Sequence, residues 1–275
     1  MPELPEVETV VRGLRGPLIG RTALEAWSNW PRTVYGLSDA AMTERLRGQT
    51  FRAITRRAKY IICHLDHDLL VVHLKMTGRL YVVADESAHE ADRWVHFRLQ
   101  LDEGQQLRFS DSRKFGRVAL TTEFEKLAPD LGPEPLEDGF TVPDFAERLA
   151  KRSAPIKAVL LDQTVVAGVG NIYADEALFR ARIHPLRPAK TLRTDEITAL
   201  HLAIREVLAA GIEEEGASVN WYRKPDGTPG NAQFFLAVYD REGKPCPVCG
   251  APVEKIRVAQ RGTHFCPHCQ SLIKS

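Results

Sequence analysis

The sequence predicts an α+β protein: an N-terminal antiparallel β-sandwich flanked by helices, then a helical region, then a four-cysteine metal-binding end. Three observations carry this expectation. Between residue 20 and about 122, short apolar runs alternate with polar turns at the close spacing of antiparallel strands packed as two sheets. Beyond a Pro-, Gly- and acid-rich stretch at 129–143, the apolar spacing changes to the helical period. Four of the five cysteines then fall at the end of the chain as Cys246-x2-Cys249-x16-Cys266-x2-Cys269.

Each element follows from local pattern. Pro5 followed by Val7, Val10, Val11 and Leu14 reads as a short amphipathic helix ending at Gly16-Pro17. Strand-like runs lie at 61–65, 69–74, 79–83, 95–101, 107–109 and 118–120, with one helix at 38–46 interrupting the set. Helical spacing marks 144–151, 155–161, 173–180 and 194–214, and Gly168-Val169-Gly170-Asn171 makes a tight connection between two of these helices. The stretch 216–230 has little apolar content and is long for a plain connection, so it is either functional or mobile. From Phe234 onward, strands and knuckles surround the cysteines. The expected domains are therefore 2–128, a linker at 129–143, a helical domain at 144–233 that includes the 216–230 loop, and a metal-binding segment at 234–275.

Composition narrows the class. A chain of 275 residues with 44% hydrophobic and 27% charged residues can fold as two ordinary globular domains. Glu3, Glu6 and Glu8 stand where an export signal needs positive charge, and no apolar run reaches membrane-spanning length, so a cytoplasmic protein is expected. Net charge is only +1, yet the charges segregate. Bases cluster at Arg52/Arg56/Arg57/Lys59, Arg113/Lys114/Arg117, Arg148/Lys151/Arg152/Lys157 and 180–193; acids cluster at 85–92, Glu123/Glu125, 134–138 and 213–215. One basic face for nucleic acid is compatible with that arrangement, as is ordinary solvated charge.

In a cytoplasmic chain, two Cys-x2-Cys turns point to a metal and not to disulfides. Each turn brings two thiolates to one tetrahedral ion, and zinc is the usual occupant. Pro247, Pro267 and Gly250 suit tight knuckles. Four sulfur ligands leave no open position, so one zinc should fold the segment without taking part in chemistry. Cys63 sits in an apolar strand and reads as a core residue.

The amino terminus allows two readings. Pro and acids suit the first turn of a helix. If Met1 is removed, Pro2 instead carries a secondary amine beside three carboxylates. Attack of that amine on a sugar aldehyde carbon gives an iminium, an electron sink whose protons a neighbouring carboxylic acid can move.

Six segments together resemble the bacterial formamidopyrimidine-DNA glycosylases, over nearly the whole chain. Pro2-Glu3-Leu4-Pro5-Glu6-Val7-Glu8-Thr9 resembles the family's amino terminus, and Arg57-Ala58-Lys59-Tyr60 its catalytic lysine segment. His73-Leu74-Lys75-Met76-Thr77-Gly78 is similar to its methionine loop, and Asp111-Ser112-Arg113-Lys114-Phe115-Gly116 to its arginine/phenylalanine loop. Leu160 to Gln163 with Gly168 to Glu176 resembles its helix–two-turn–helix motif, and Gln260-Arg261-Gly262-Thr263-His264-Phe265-Cys266 its zinc-finger loop.

The resemblance implies a bifunctional DNA glycosylase/AP lyase that excises oxidised purines from double-stranded DNA, acts also at abasic sites and needs no obligate protein partner. It implies Pro2 as nucleophile, Glu3 as acid/base, and Lys59 and Arg261 as helpers in strand cleavage; Glu6, close to Pro2 in the chain, is placed to hold the terminal amine or to orient a water. Met76 and Phe115 would wedge into the base step, with Arg113 on the orphaned partner base; His73, Arg152 and Asn171 would complete the DNA contacts. A glycosylase must rotate its target nucleotide out of the stack and support the gap, which is what such residues can do. The sister enzymes acting on oxidised pyrimidines and a non-catalytic zinc-finger protein binding damaged DNA are the alternatives. Two places depart from the family pattern: the segment 216–223, where relatives carry a Thr and close over the extruded base, and Trp94, where relatives tend to have a His.

Overall fold

The computed structural model describes residues 1–84 and 92–272; the acidic run expected at 85–92 therefore lies, apart from Asp92, outside the described residues. The chain forms two compact units. Unit 1 is Met1–Pro129 with Glu215–Asn231, and unit 2 is Asp130–Glu214 with Ala232–Ser275.

Unit 1 opens with helix α1 (Leu4–Leu18), whose Val7, Val10, Val11, Leu14 and Leu18 are buried along one face. The helix runs on through Pro17 instead of ending at Gly16-Pro17, because a proline in the last turn removes only one backbone bond. Two sheets follow. One has four antiparallel strands in the order β1 (Ala23–Ser28), β7 (Val95–Leu101), β8 (Gln106–Asp111), β6 (Gly78–Val83). The other has five, in the order β2 (Val34–Tyr35), β9 (Arg117–Thr121), β5 (Leu69–His73), β4 (Tyr60–His64), β3 (Ala53–Arg57). All pairs are antiparallel except the short β2–β9 pair, which is parallel. Helix α2 (Asp39–Leu46) is capped by the Ser38 hydroxyl, as a residue of that type before a helical run predicts. The sheets, α1 and α2 share one core that includes Phe51, Phe97, Phe109, Leu99 and Val72.

The 216–230 loop belongs to unit 1 and packs with this core. Ala217 N donates to the Glu6 carboxylate at 2.8 Å, and the Tyr222 ring joins the sandwich core. The stretch 130–143 is likewise no free linker. Gly132 N donates to Gln163 O and Ala167 N to Pro133 O, and the Arg205 guanidinium caps the carbonyls of Pro135, Leu136 and Glu137.

Unit 2 contains helices α3 (Val142–Ala150), α4 (Ile156–Leu160), α5 (Asn171–Arg180) and α6 (Thr194–Glu213), followed by the hairpin of β10 (Glu254–Val258) and β11 (Arg261–Phe265). Helix α5 packs on α6 and on β11, so the zinc hairpin is seated directly on the helix that follows the Gly168–Gly170 turn. No helix among the described residues is long and apolar enough to cross a membrane.

Candidate catalytic centre and nucleic-acid surface

The start of α1 is where charge is buried. Pro2 is buried, and Glu3 and Glu6 are 2% and 1% exposed. Carboxylates at a helix start are favoured by the free N–H groups there. Glu6 uses both oxygens: one accepts from Glu3 N at 2.8 Å, the other from Ala217 N at 2.8 Å. Gly216 makes the second bond possible. Its φ is +81°, and a Cβ there would lie 2.9 Å from the Tyr222 ring and 3.0 Å from Glu6 Cγ. Burial, and next the Glu6 carboxylate, raise the Tyr222 phenol above its ordinary range. Glu8 reaches Arg56 on β3 at 3.2 Å, tying α1 to the strand that leads into Lys59. Both Lys59 and His73 are buried, at 5% and 9% exposure.

His73 is held neutral. Burial, with the positive charges of Lys75 and Lys59, pushes its pKa down to about 3. Its Nδ1 accepts from Lys75 N at 3.0 Å, so the ring proton sits on Nε2, which is left as a donor.

The methionine and arginine/phenylalanine loops meet where β6 pairs with β8. Met76 and Phe115 are exposed at 37% and 47%. Arg113 joins them: its Nη1 lies 3.2 Å from Met76 Sδ, and its guanidinium stacks 4.9 Å from the Phe115 ring centre. The first residue of the arginine/phenylalanine segment, to which no role was assigned from sequence, holds this cluster. Asp111 accepts the Thr77 hydroxyl and the backbone N–H groups of Arg113, Phe115 and Gly116, the last two at 2.8 and 2.7 Å. The turn passes so close to the core that a Cβ on Gly116 would lie 2.2 Å from Phe109 Cζ.

In unit 2, Asn171 is the first residue of α5 and not its cap; Gly170 occupies the cap position. Asn171 Nδ2 donates to Gly262 O in the zinc hairpin at 3.0 Å, so this side chain and the Arg261 turn are brought together. Arg261 is exposed and follows a two-residue turn, Ala259 (φ +46°) and Gln260 (φ +62°), the type I′ geometry of tight hairpins. Arg152, exposed just beyond the end of α3, bonds to Asp162 and Thr164 at 3.3 Å each.

Lys157 corrects the sequence picture of a solvated basic cluster. It is fully buried, and its ammonium bonds to Asp175 Oδ1 at 2.5 Å and Asn171 O at 2.8 Å. The other Asp175 oxygen accepts from His264 N on β11. The next residue, Glu176, accepts from the N–H groups of Ala237, Val238 and Tyr239; its burial raises its pKa in spite of those bonds. Two adjacent acids on α5 thus grip the C-terminal segment at two places. Their only sequence signal is a pair of acids inside an otherwise apolar helix.

The four cysteine sulfurs lie within 4.8 Å of one another, with Cys246–Cys269 at 3.9 Å and Cys249–Cys266 at 3.5 Å. A tetrahedral zinc with Zn–S bonds of ~2.3 Å places its sulfurs about 3.8 Å apart, so the donor set fits one structural zinc. N–H groups of Val248 and Cys269 point at Cys246 and Cys266 sulfur, as metal-bound thiolates require. Gln270, fully buried, fixes the second knuckle to Cys266 N and to Ile183 O.

The order of these parts along the chain, an acid-burying β-sandwich, a helical region and a four-cysteine hairpin, is that of a class of DNA-repair glycosylases. Residues 1–118 match the formamidopyrimidine-DNA glycosylase N-terminal domain, 131–222 its H2TH domain, and 243–272 the zinc finger found in FPG and IleRS. The formamidopyrimidine-DNA glycosylase of Chloroflexus aggregans is 50% identical over 100% of both chains. That of Herpetosiphon aurantiacus is 49% identical over 98% of this chain and 100% of its own. Among solved structures, MutM (Fpg) from Thermus thermophilus superposes with a TM-score of 0.87 at 43% identity, covering 98% of each chain. Lactococcus lactis Fpg bound to DNA containing an abasic site gives a TM-score of 0.91 at 38% identity, over 98% of this chain and 100% of that one. This chain belongs to the formamidopyrimidine-DNA glycosylase family, DNA glycosylases of base excision repair.

Proposed function

We propose that this protein excises oxidised purines, including formamidopyrimidines and 8-oxoguanine, from duplex DNA and then cleaves the strand at the resulting abasic site. The observation that carries the reading is the buried Pro2–Glu3–Glu6 group, with Glu6 fixed from two sides. The Pro2 nitrogen attacks C1′ while the base leaves with the electron pair of the glycosidic bond. Glu3 moves the proton that opens the sugar ring. The iminium acidifies C2′, and loss of a C2′ proton expels the 3′ phosphate; a second elimination expels the 5′ phosphate. Lys59 assists the proton transfers, and Arg261, which stays charged, stabilises a leaving phosphate.

Met76, Arg113 and Phe115 fill the gap left by the rotated nucleotide. Neutral His73, through Nε2–H, and Asn171 donate to phosphates, with Arg152 further along the backbone. Support for lesion and partner comes from Lactococcus lactis Fpg, crystallised with DNA carrying Fapy-dG or an abasic site. The protein is expected to work in the bacterial cytoplasm on chromosomal DNA.

Pro2 can act only once Met1 is removed, because with Met1 attached its nitrogen is an amide. Borohydride trapping on an abasic duplex tests the proposal. Protein with a free Pro2 should form a covalent adduct, and Pro2→Gly should reduce its yield at least tenfold. Absence of any adduct from the processed protein would overturn the lyase reading.

A further inference from the structure

The outer face of the five-stranded sheet in unit 1 carries a cavity of its own. In β5, Leu70 and Val72 belong to the sandwich core, so Val71 and His73 point to the opposite face. Register then decides their company. His73 pairs with Arg117 on β9 and with Tyr60 on β4, and Ala119 pairs with both Val71 and Tyr35. With Lys75, Lys126 and Leu127 they line a cavity of about 230 Å³.

Its walls divide into an apolar part and a basic part. Val71 and Ala119 are buried, Tyr60 stands edge-on to His73 at 4.6 Å, and Tyr35, 68% exposed, offers an open ring. The cations are Lys75, Arg117 and Lys126, and no carboxylate stands among the described lining residues. Lys126 pairs with Glu123 at 2.9 Å, but both side chains are more than half exposed, and such pairs are weak. Arg117 uses one nitrogen on the carbonyls of Phe115 and Gly116. Among the described residues the Lys75 ammonium has no acceptor; burial, and then Arg117 beside it, lower its pKa. Like charges gathered against an apolar wall repel, and an anion between them relieves this. Neutral His73 offers its Nε2–H without adding charge.

Donors for an anion thus stand beside surface for a planar group. Duplex DNA presents its phosphates on a convex backbone and keeps its bases stacked inside, so it could use the basic part but not the apolar one. A small molecule that joins a phosphate to an aromatic ring uses both.

We infer that this cavity binds a free nucleoside monophosphate, its phosphate among Lys75, Arg117 and Lys126 and its base on the Tyr35 ring. Because His73 lines the same cavity, the bound nucleotide competes with DNA for that residue. This competition rests on the glycosylase reading, whereas the binding does not. Calorimetric titration of the full chain with deoxyguanosine monophosphate, deoxyguanosine and inorganic phosphate tests the site. The nucleotide should bind about tenfold or more tighter than either of its parts. Lys126→Gln and Tyr35→Ala, at exposed positions, should each weaken it about fivefold and leave trapping on an abasic duplex within about twofold of wild type. The nucleotide should lower trapping by wild type more than by these variants. Phosphate binding as tightly as the nucleotide would show a charge cluster open to any anion, and would overturn the inference, as would absence of nucleotide binding. Variants that lose duplex affinity as much as nucleotide affinity would also overturn it, because the cations would then serve the DNA backbone. Wild-type protein that binds the nucleotide as expected but never traps would sink the lyase reading alone and uphold the site.

Discussion

Asp111 in unit 1 and Asp175 in unit 2 are both 1% exposed, and each organises a loop proposed to contact DNA, but they draw on different parts of the chain. Asp111 gathers groups from its own turn, two to five positions away, and from Thr77 on the adjoining strand end. Asp175 gathers Lys157 and His264, 18 and 89 positions away. The first shapes a loop that brings its own side chains, so it works wherever β6 and β8 are paired. The second joins a helix to a hairpin that must already be folded, and zinc folds that hairpin. A local hub therefore sets shape, and a distant hub sets placement.

Removing zinc should break this contrast most severely. Zinc binding in small fingers contributes apparent energies of about 10–16 kcal/mol to folding. Chelation should expose the amides of Thr263 and His264 to hydrogen exchange while protection in the β-sandwich persists. Protection of the hairpin surviving complete chelation would show that the protein part alone holds it.

Next in size come the two aspartates themselves. Asp175→Asn leaves the fully buried Lys157 without its counter-charge, a loss of about 3–5 kcal/mol. Asp111→Asn weakens hydrogen bonds to a charged acceptor, about 1.5–3 kcal/mol. Thermal unfolding should rank them in that order, and exchange should place the first defect in β11 and the second in 112–116. Equal destabilisation, or a defect in the wrong segment, would contradict the division between local and distant hubs.

The smallest effect is a dependence on pH. The unfolded chain protonates His73 near 6.5, whereas the folded protein resists protonation down to about 3. The unfolded state thus binds more protons in that window, and stability falls as pH drops through it. The His73→Gln variant should lose less stability than wild type between pH 7 and pH 5, by about 1–2 kcal/mol. Parallel pH profiles would show that His73 ionises freely when folded.

The same distinction explains what could be read from the sequence. Helix α2, strands β4 to β9 and the cysteine knuckles announce themselves through neighbours a few positions apart. Strand β1 escapes because a bulge follows Ala23 and places Leu24 and Glu25 outward together. Strand β2 has only two residues, and β3 ends in Arg56-Arg57, which reads as surface charge. At the site, the resemblance to the family points to the Met76, Arg113 and Phe115 loops, but gives no role to Asp111 beneath them. Lys157 looks like one more surface base until Asp175 is found beside it. The placement of the 216–230 loop depends on the bond between Ala217 and Glu6, 211 positions apart, for which no local pattern exists.

The turn at Ala259 and Gln260 has a consequence for how this region can change. Two residues with left-handed backbone are the shortest link between β10 and β11, and alternate residues of a strand point to opposite sides. Adding or deleting one residue here would exchange the two faces of β11, carrying the buried Thr263 and Phe265 to the side that His264 now occupies and His264 to theirs. The hairpin can accept new side chains at its tip, but its length works as a gauge: a change of sequence there is tolerable, whereas a change of count moves every contact by one face.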